Sequence, residues 1–422
     1  MKRIVKKYYY QISFELASPL AVSSGRNDKT DKDIIRNSSG IPYIPASSIA
    51  GVIRSAMGND SRVDKYFGFV KAVSQDNRIA DAGDSKIIFY DAVLKSGYHT
   101  SVRDSVALDQ YKTAIDGAKF DMEVLEAGVP FQTLLEQNCY EGDTENVALE
   151  AAKLFLTERI VFGGKSIRGY GSIKNVKVRE CVFDLTNPEE TKAWLKFDPY
   201  DEDCWKSGRP VEADSGDAPR KLDIQLNLSG GISVRRYTTD VKVKDSDSQP
   251  DMEQLTSHFG SGGNTRPVIP GTTWAGAFRH RMEEFGCNPL IFGYVKGNGE
   301  KSRSLIRFGE SFIENGHDMT LSRNAIDRFT GGTKDGALFT EKTSYGGRTA
   351  LEISWAGDKP MEEGDIRALA AALTDLHFGF LAVGGETSVG RGLFSITGIN
   401  GTALDENDVY SFVLGKVREV MV

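Results

Sequence analysis

The feature that most constrains this chain is a motif that occurs twice. The first copy covers residues 42–54 (PYIPASSIAGVIR) and the second covers residues 267–279 (PVIPGTTWAGAFR). Both copies place Pro-x-Ile-Pro, two hydroxyl side chains, Ala-Gly and an arginine at one spacing. A Phe-Gly pair follows each copy at the same distance, as Phe67-Gly68 and Phe292-Gly293. Chance rarely preserves a motif together with its distance to a second one, so the sequence predicts an internal duplication.

Each copy of the motif reads as an extended entry that leads into a helix. The prolines hold the chain extended and cannot continue a helix backwards. The hydroxyl residues, Ser47 or Ser48 in one copy and Thr272 or Thr273 in the other, are predicted N-caps. Free amides and hydroxyls at a helix N-terminus can bind a phosphate, whereas most N-caps bind nothing. For a single copy both interpretations stay open.

Composition limits the class of protein. With 422 residues, 40% of them hydrophobic, the chain has room for two domains of ordinary size. A formal net charge of −7 argues against a protein whose whole surface binds nucleic acid, so any such binding must use local basic patches. The four cysteines are scattered and the apolar runs are short. We therefore expect a cytoplasmic protein with no zinc site, disulfide framework or membrane span.

The two halves repeat one order of elements. An alternating apolar strand opens each half, within residues 8–22 and 222–234, and a polar loop then leads to the motif. Further strands and a helix follow, the helix at residues 145–157 and 365–378. A glycine-rich segment before the last strand completes each half.

This order predicts an α+β fold class. It corresponds to two tandem ferredoxin-like or RRM-like (βαββαβ) domains with elaborated loops. The predicted domains are residues 1–186 and 221–404, joined by a linker at 187–220 and followed by a C-terminal helix at 405–422. The linker contains tryptophans, including Trp205, so part of it is expected to pack on the body of the protein.

Glycine is concentrated before the last strand of each half. Residues 163–173 and 384–394 both show Gly-Gly, four intervening residues, and then Gly-x-Gly. Such clusters can form anion-binding concavities or simple tight β-turns, and both interpretations stay open. Arg159 stands where a P-loop needs its first glycine, which argues against that motif. Gly51 and Gly276, inside the motif helices, suggest close packing against another segment.

The residues just described resemble the repeat-associated mysterious protein (RAMP) superfamily of CRISPR systems. The resemblance rests on the proline motif with its hydroxyls, the glycine-rich loop, and the run AIDRFTGG at residues 325–332. It covers both halves and nearly the whole chain. Two fused copies resemble the tandem backbone subunits of the type III-D branch.

The resemblance implies a subunit of a type III effector ribonucleoprotein. Its partners would be a crRNA guide, a complementary single-stranded target RNA and other effector subunits, with no membrane. Helix starts and glycine-rich loops would hold the guide, and a hairpin would enter between its bases. The implied RNA-binding residues are Ser47, Ser48, Arg54, Gly163, Gly164, Lys165, Ser166, Arg168, Gly169, Tyr170, Gly171, Thr272, Thr273, Arg279, Gly384, Gly385, Thr387, Ser388, Gly390, Arg391 and Gly392.

The resemblance also implies catalysis. In cleaving members of the family, an aspartate in the loop before the proline motif cuts target RNA with a divalent metal, Mg²⁺ or Mn²⁺. The run DKDIIRN at residues 31–37 fits the family's spacing and puts the catalytic and metal-binding role on Asp31, although Asn37 replaces the usual aspartate. In the second half Asp251 matches best. Other loop aspartates that could serve are Asp28, Asp33, Asp240 and Asp247.

Two other functions stay open. The same scaffold without an active site would bind the guide and not cut the target. A guide-processing endonuclease of the superfamily also pairs two ferredoxin-like domains, but such enzymes commonly use a histidine. The five histidines of this chain do not recur between its halves. A merely solvated loop aspartate is the simplest alternative for Asp31.

Overall fold

The computed structural model describes residues 3–23, 32–58, 60–72, 79–108, 114–164, 166, 169–214, 220–236, 250–260, 262–295 and 301–422. The chain forms two compact units. Unit 1 contains Met1–Val102, Met122–Ser166 and Tyr170–Pro219, and unit 2 contains Arg103–Asp121, Ile167–Gly169 and Arg220–Val422. No helix in the described part of the chain is long and apolar enough to cross a membrane.

In its described residues the first half of the chain forms ten strands and four helices. The strands are β1 (Ile4–Leu16), β2 (Phe69–Ala72), β3 (Ile79–Gly83), β4 (Ile87–Phe89), β5 (Val93–Leu94), β6 (Thr100–Leu108), β7 (Ala114–Leu125), β8 (Pro130–Tyr140), β9 (Ile173–Asp184) and β10 (Arg209–Val211). The helices are α1 (Ala46–Met57), α2 (Arg62–Phe67), α3 (Val147–Leu156) and α4 (Pro188–Leu195), with a short 3₁₀ helix at Glu202–Ser207.

The main sheet of unit 1 has the strand order β10-β9-β1-β8-β4, and β5 also pairs with β8. Its paired strands are antiparallel. Alternate residues of β1, among them Ile12 and Phe14, are buried in one core. Helix α1 contributes Ile49 and Ile53 to that core, and α3 contributes Phe155. The alternation seen in the sequence is therefore a strand with one face against the helices, as predicted.

The opposite face of this sheet is covered by the segment after β9. Trp205 is fully buried there with Tyr9, and Trp194 and Phe197 pack against the same cluster. The Trp205 indole donates a hydrogen bond to the Pro199 carbonyl at 3.0 Å, which satisfies its polar atom. The expectation that part of the linker packs on the body is confirmed. In unit 1 the sheet face is thus buried rather than open to a ligand.

The part of the second half that the structure describes forms fifteen strands and three helices. The strands are β11 (Lys221–Ser229), β12 (Gly231–Ile232), β13 (Arg235–Arg236), β14 (Met252–Gln254), β15 (Thr256–Ser257), β16 (Arg266–Ile269), β17 (Tyr294–Val295), β18 (Lys301–Ser302), β19 (Ile306–Phe308), β20 (Ser311–Phe312), β21 (His317–Ile326), β22 (Thr333–Tyr345), β23 (Arg348–Trp355), β24 (Leu393–Ile399) and β25 (Thr402–Ala403). The helices are α5 (Gly271–Glu284), α6 (Glu363–His377) and α7 (Val409–Met421), with 3₁₀ helices at Pro289–Phe292 and Thr387–Val389.

The main sheet of unit 2 has the order β19-β23-β11-β24-β25. Alternate residues of β11, Leu222 to Leu228, face a core that α5, α6 and α7 complete. A second sheet has the order β12-β22-β14-β13, and β21 pairs with β22 as a long hairpin. The predicted C-terminal helix is present as α7, with Val413 and Val417 fully buried.

Both motif helices begin directly after a proline. Pro45 and Pro270 occupy the N-cap positions with φ near −60° and extended ψ, and neither helix has a side-chain cap bond from its N-cap residue. The prediction that Ser47 or Ser48, or their threonine counterparts, cap these helices is therefore wrong. The hydroxyl residues lie inside the first turn because the helix starts as soon as the chain leaves the proline. At α1, Asp91 accepts a hydrogen bond from the Ala46 amide at 2.7 Å instead.

Gly51 and Gly276 do not mark close packing. Both are exposed, and a Cβ added to either would meet no described atom within 4 Å. The suggestion of a packed neighbour at these positions is thus wrong for the part of the chain that the structure describes.

Candidate nucleic-acid interface

A cleft of about 280 Å³ in unit 1 brings three of the sequence features together. The polar loop reaches it through Lys32, the proline motif through Ser48, and the glycine-rich segment through Gly163 and Gly164. Its other lining residues are Ala21, Val22, Ser23, Met122 and Glu123. Features far apart in the sequence therefore meet at one surface.

The main chain after β1 builds this cleft. The Ala21 carbonyl accepts a hydrogen bond from the Gly164 amide at 2.8 Å, and the Val22 carbonyl accepts one from the Ile35 amide at 2.8 Å. On the other side of the loop, the Glu123 amide donates to the Lys32 carbonyl at 2.9 Å. The loop and the glycine-rich turn are thus both fixed to the short segment that follows the first strand.

The acidic side chain in the cleft is neutralised by the protein. Arg36 donates two hydrogen bonds to the Glu123 carboxylate, at 2.5 and 2.8 Å, and the Ile34 amide donates a third at 3.2 Å. Burial raises the pKa of the Glu123 carboxyl, but the bonds from Arg36 and Ile34 outweigh it and hold that pKa below its usual range. A phosphate at the cleft would meet a compensated carboxylate and the exposed Lys32.

The glycines of both glycine-rich turns are needed by the protein's own backbone. Gly163 and Gly384 have positive φ, and a Cβ there would lie 2.5 and 2.8 Å from the carbonyl oxygens of Ala21 and Ser233. A Cβ on Gly171 or Gly392 would collide with the carbonyl of Phe162 or Val383, respectively. The tight-turn interpretation accounts for these glycines without a ligand.

The amides of the Gly-Gly pairs are also used internally. Gly164 donates to Ala21, and Gly385 donates to the Ser233 carbonyl at 2.7 Å. These two N–H groups are therefore not available to an anion in this conformation.

The arginine that ends each motif contacts the Phe-Gly pair that follows it. Arg54 donates to the Gly68 carbonyl at 2.8 Å, and the Arg279 guanidinium lies 5.9 Å from the centre of the Phe292 ring. Arg54 also pairs with Asp64 at 2.6 Å. Both arginines thus have structural partners beside the role in RNA binding that we predicted.

Two serines that the sequence reasoning missed complete this repeated structure. The Ser85 hydroxyl lies within hydrogen-bonding distance of the carbonyls of Tyr66 (2.9 Å) and Ile87 (2.6 Å). The Ser304 hydroxyl repeats this with the carbonyls of Ile291 (3.1 Å) and Ile306 (2.5 Å). The signal was present as a serine two residues before the isoleucine of each repeated strand.

The main-chain pairing gives a register for the second polar loop. Ile34 pairs with Ser23 in the first half, and Gln254 pairs with Arg235 in the second. In each half the Gly-Gly turn contacts the residue two positions before this pairing, Ala21 before Ser23 and Ser233 before Arg235. The two pairings are therefore equivalent. Three residues before Ile34 and Gln254 in the sequence stand Asp31 and Asp251, and their catalytic role stays a prediction.

Two hydrogen bonds hold Asp251 in place. The Asp251 carboxylate accepts a hydrogen bond from the Thr340 amide at 2.8 Å, and the Asp251 amide donates to the Thr340 carbonyl at 2.7 Å. Asp31 lies outside the described residues, as do Asp28, Asp240 and Asp247. Among the alternatives, Asp33 is buried.

Arg391 is not at the surface. Its side chain is 2% exposed and is paired with Glu341 and, at 3.0 Å, with Glu386. Burial, followed by the proximity of Glu386, raises the pKa of the Glu341 carboxyl despite the opposing effect of Arg391. In this conformation an RNA phosphate cannot reach the Arg391 guanidinium, and we do not retain it as an RNA contact.

The remaining candidate RNA-binding residues fall into two groups, those outside the described residues and those that are exposed or half-buried. Lys165 and Arg168 lie outside the described residues. The exposed or half-buried candidates at the two helix starts and turns are Ser47, Ser48, Thr272, Thr273, Ser166, Gly169, Tyr170, Thr387, Ser388 and Gly390. Of these, Ser48 lines the cleft.

The chain matches a known family over most of its length. The model of the RAMP superfamily matches residues 13–174 and again residues 255–395, so the chain belongs to that superfamily. Because the match occurs once in each half, this is a tandem RAMP protein.

Several solved structures are similar to part of the chain. One of them is the cryo-EM structure of the type III-B Cmr-beta complex bound to cognate target RNA, with 16% identity over 41% of this chain and 61% of that chain. Its TM-score of 0.30 is too low to define a shared fold. No curated protein matches the chain.

Proposed function

We propose that this protein is a backbone subunit of a type III CRISPR effector complex that binds the crRNA guide and cuts complementary target RNA. The observation that carries the proposal is the unit 1 cleft, where Lys32, Ser48 and Gly163 meet. Asp31 is the residue immediately before Lys32 in the sequence. The loop that holds the candidate nucleophile-activating carboxylate therefore leads directly into the candidate phosphate site.

We further propose that each half is a ferredoxin-like βαββαβ domain. In unit 1 the strands that precede and follow α1 and α3 are ordered β9-β1-β8-β4, which is fourth, first, third, second. In unit 2 the equivalent strands are β24-β11-β23-β19, the same order. Two halves with one strand order support a common ancestral domain.

The exposed side chains at the tip of the β21–β22 hairpin support contact with RNA bases. Phe329 at its tip is 96% exposed, and Ile326 and Leu338 beside it are 67% and 66% exposed. Arg328 and Lys334 are exposed next to them. Exposed aromatic and basic side chains together are the usual means of holding single-stranded RNA, because a base stacks on the ring while the cations meet phosphates. This arrangement favours insertion of the tip between guide bases.

We propose that the metal is shared between protein and RNA. Within the described residues no group of three or more His, Cys, Asp or Glu side chains could hold a metal ion. Glu123 is occupied by Arg36, and the protein ligand that we propose is Asp31, the residue to which the family resemblance assigns this role. Mg²⁺ commonly uses one or two carboxylates and completes its shell with substrate phosphates and water. A bound metal would offset phosphate charge during cleavage.

A matched pair of loop variants tests this function. We would assemble the effector complex with Asp31→Asn or with Asp28→Asn and follow cleavage of labelled target RNA in Mg²⁺, with chelation and Mg²⁺ or Mn²⁺ add-back. The proposal expects Asp31→Asn to abolish cuts while target binding persists, and Asp28→Asn to cut normally. Unchanged cutting by Asp31→Asn would refute the catalytic role of Asp31. Target binding with no cutting by the wild-type complex would leave the non-cleaving scaffold as the function.

A further inference from the structure

Unit 2 contains a cluster of five charged side chains whose centre is buried. The Arg391–Glu341 pair forms its centre, and both side chains are 2% exposed. Glu386 contacts Arg391 at 3.0 Å and Arg235 at 3.2 Å. Arg323 bridges both acids, at 3.2 Å from Glu341 and 3.5 Å from Glu386. Such a cluster is costly to desolvate and is tolerated because its members pair with one another.

The cluster occupies the position that the cleft occupies in the first repeat. Gly384 and Gly385 repeat the contacts of Gly163 and Gly164 with the segment after the first strand, so Glu386 corresponds to Lys165. Arg391, between the last two glycines, corresponds to Tyr170.

Strand pairing gives the counterparts of two further members, Arg235 and Glu341. Arg235 follows Val234 as Ser23 follows Val22, and both valine carbonyls accept an equivalent loop amide. The pairing of Leu20 with Leu125 is repeated by Ile232 with Ser344, which makes Glu341 the counterpart of Met122. Ser23 and Met122 both line the open cleft of unit 1.

We propose that the second repeat makes no phosphate contact at this position, because its own ion-pair cluster fills the place of the cleft and fixes the hairpin to the glycine-rich turn. This inference rests on the proposed function, in which the unit 1 cleft binds RNA phosphate. An entering phosphate would have to displace Glu341 and Glu386 from their arginines. The subunit would then grip RNA backbone at the first repeat's cleft and use the second repeat to position its hairpin.

The connection to the hairpin comes from Arg323 and Glu341. Arg323 lies on β21 and Glu341 on β22, whereas Glu386 and Arg391 belong to the glycine-rich turn. Asp251 adds a second link to β22 through its two hydrogen bonds with Thr340, the neighbour of Glu341. In the second repeat the hairpin strands are thus linked both to the glycine-rich turn and to the polar loop.

Glu386 shows that the turn is adapted to the cluster. Its φ of 56° lies in the left-handed region, which is unfavourable for a glutamate. The conformation directs the carboxylate to three arginines at once. A glutamate held in this way points to a structural requirement for its charge.

Two variants that each remove one positive charge test the inference in the full-length protein. Arg391→Gln acts on the cluster, and Lys32→Gln acts on the unit 1 cleft. For each, Tm would be measured together with the salt dependence of binding to a 5′-labelled oligouridylate, well below the Tm. Arg391→Gln is expected to lower the Tm by roughly 5–15 °C and to leave the salt slope unchanged. Lys32→Gln is expected to reduce the slope by up to about 0.7 with the Tm preserved.

The outcomes separate the inference from the proposed function. A reduced salt slope with an unchanged Tm for Arg391→Gln would overturn the inference, because it would reveal a phosphate contact. An unchanged slope for Lys32→Gln would count against the cleft in the proposed function, while the lower Tm of Arg391→Gln would still support the cluster. If Arg391→Gln does not fold, Arg323→Gln is expected to speed hydrogen exchange in the hairpin while the salt slope stays that of the wild type; exchange at the wild-type rate would contradict the connection.

Discussion

The guanidinium of Arg54 donates a hydrogen bond to the backbone carbonyl of Gly68 at 2.8 Å. This bond explains why the proline motif and the Phe-Gly pair recur together at one distance. Gly68 has a φ of 76°, and a Cβ there would lie 2.7 Å from the Gly83 carbonyl, so this position requires glycine. The second repeat keeps the relationship in another form, with Arg279 over the Phe292 ring.

Removal of this arginine is expected to destabilise unit 1. Arg54→Ala should lower the free energy of unfolding by about 1 kcal/mol, the usual contribution of one hydrogen bond, since its pair with Asp64 is exposed. Chemical denaturation of the full chain would measure the change. Asp64→Ala is the matched control and should cost less, because it leaves the bond to Gly68 intact. Equal losses in both variants would show that the ion pair, and not the carbonyl bond, is what stabilises the turn.

Glycine substitutions should have opposite effects at two kinds of position. Gly171→Ala is expected to destabilise by roughly 2 kcal/mol or more, because its positive φ and the Phe162 carbonyl both oppose a Cβ. Gly51→Ala should instead stabilise by roughly 0.5–1 kcal/mol, since it lies in an exposed helix with open space. Urea denaturation of both variants checks the signs. A loss of stability in Gly51→Ala would mean that a segment outside the described residues packs there.

The Glu123–Arg36 contact predicts a pH dependence. The folded-state pKa of Glu123 lies below its ordinary value, so the contact contributes stability above the unfolded pKa of about 4.3 and loses it as pH falls through the lower folded value. The free energy of unfolding should therefore fall more steeply with acid below about pH 4.3 in the wild type than in Glu123→Gln. Parallel pH profiles for the two proteins would contradict this role.

The duplication and its consequences were within reach of the sequence. Spacing and alternation predicted β1, the motif helices and α7, and the position of Asp251 agrees with the register of the pairings at Ile34 and Gln254. These features depend on local periodicity and on repetition, both of which a single sequence displays.

The ion-pair partners of individual charged side chains could not be predicted from the sequence. Arg391 looked like a cation beside a glycine turn, but its surroundings are set by Glu341 on a distant strand. The N-cap prediction failed for a related reason, since α1 starts directly after Pro45 and its first amide, that of Ala46, is bound by Asp91 from beyond the helix. Tertiary contacts decide both cases, and residue type alone does not reveal them.

The most direct test of the account is a photo-crosslink from the cleft of unit 1. A benzophenone amino acid at Ser48 would be compared with one at Lys192 on the exposed face of α4, in complexes assembled on labelled guide RNA. We predict a strong crosslink from Ser48 and none from Lys192. Equal yields from both positions, or no crosslink from Ser48, would contradict the claim that this cleft holds the guide.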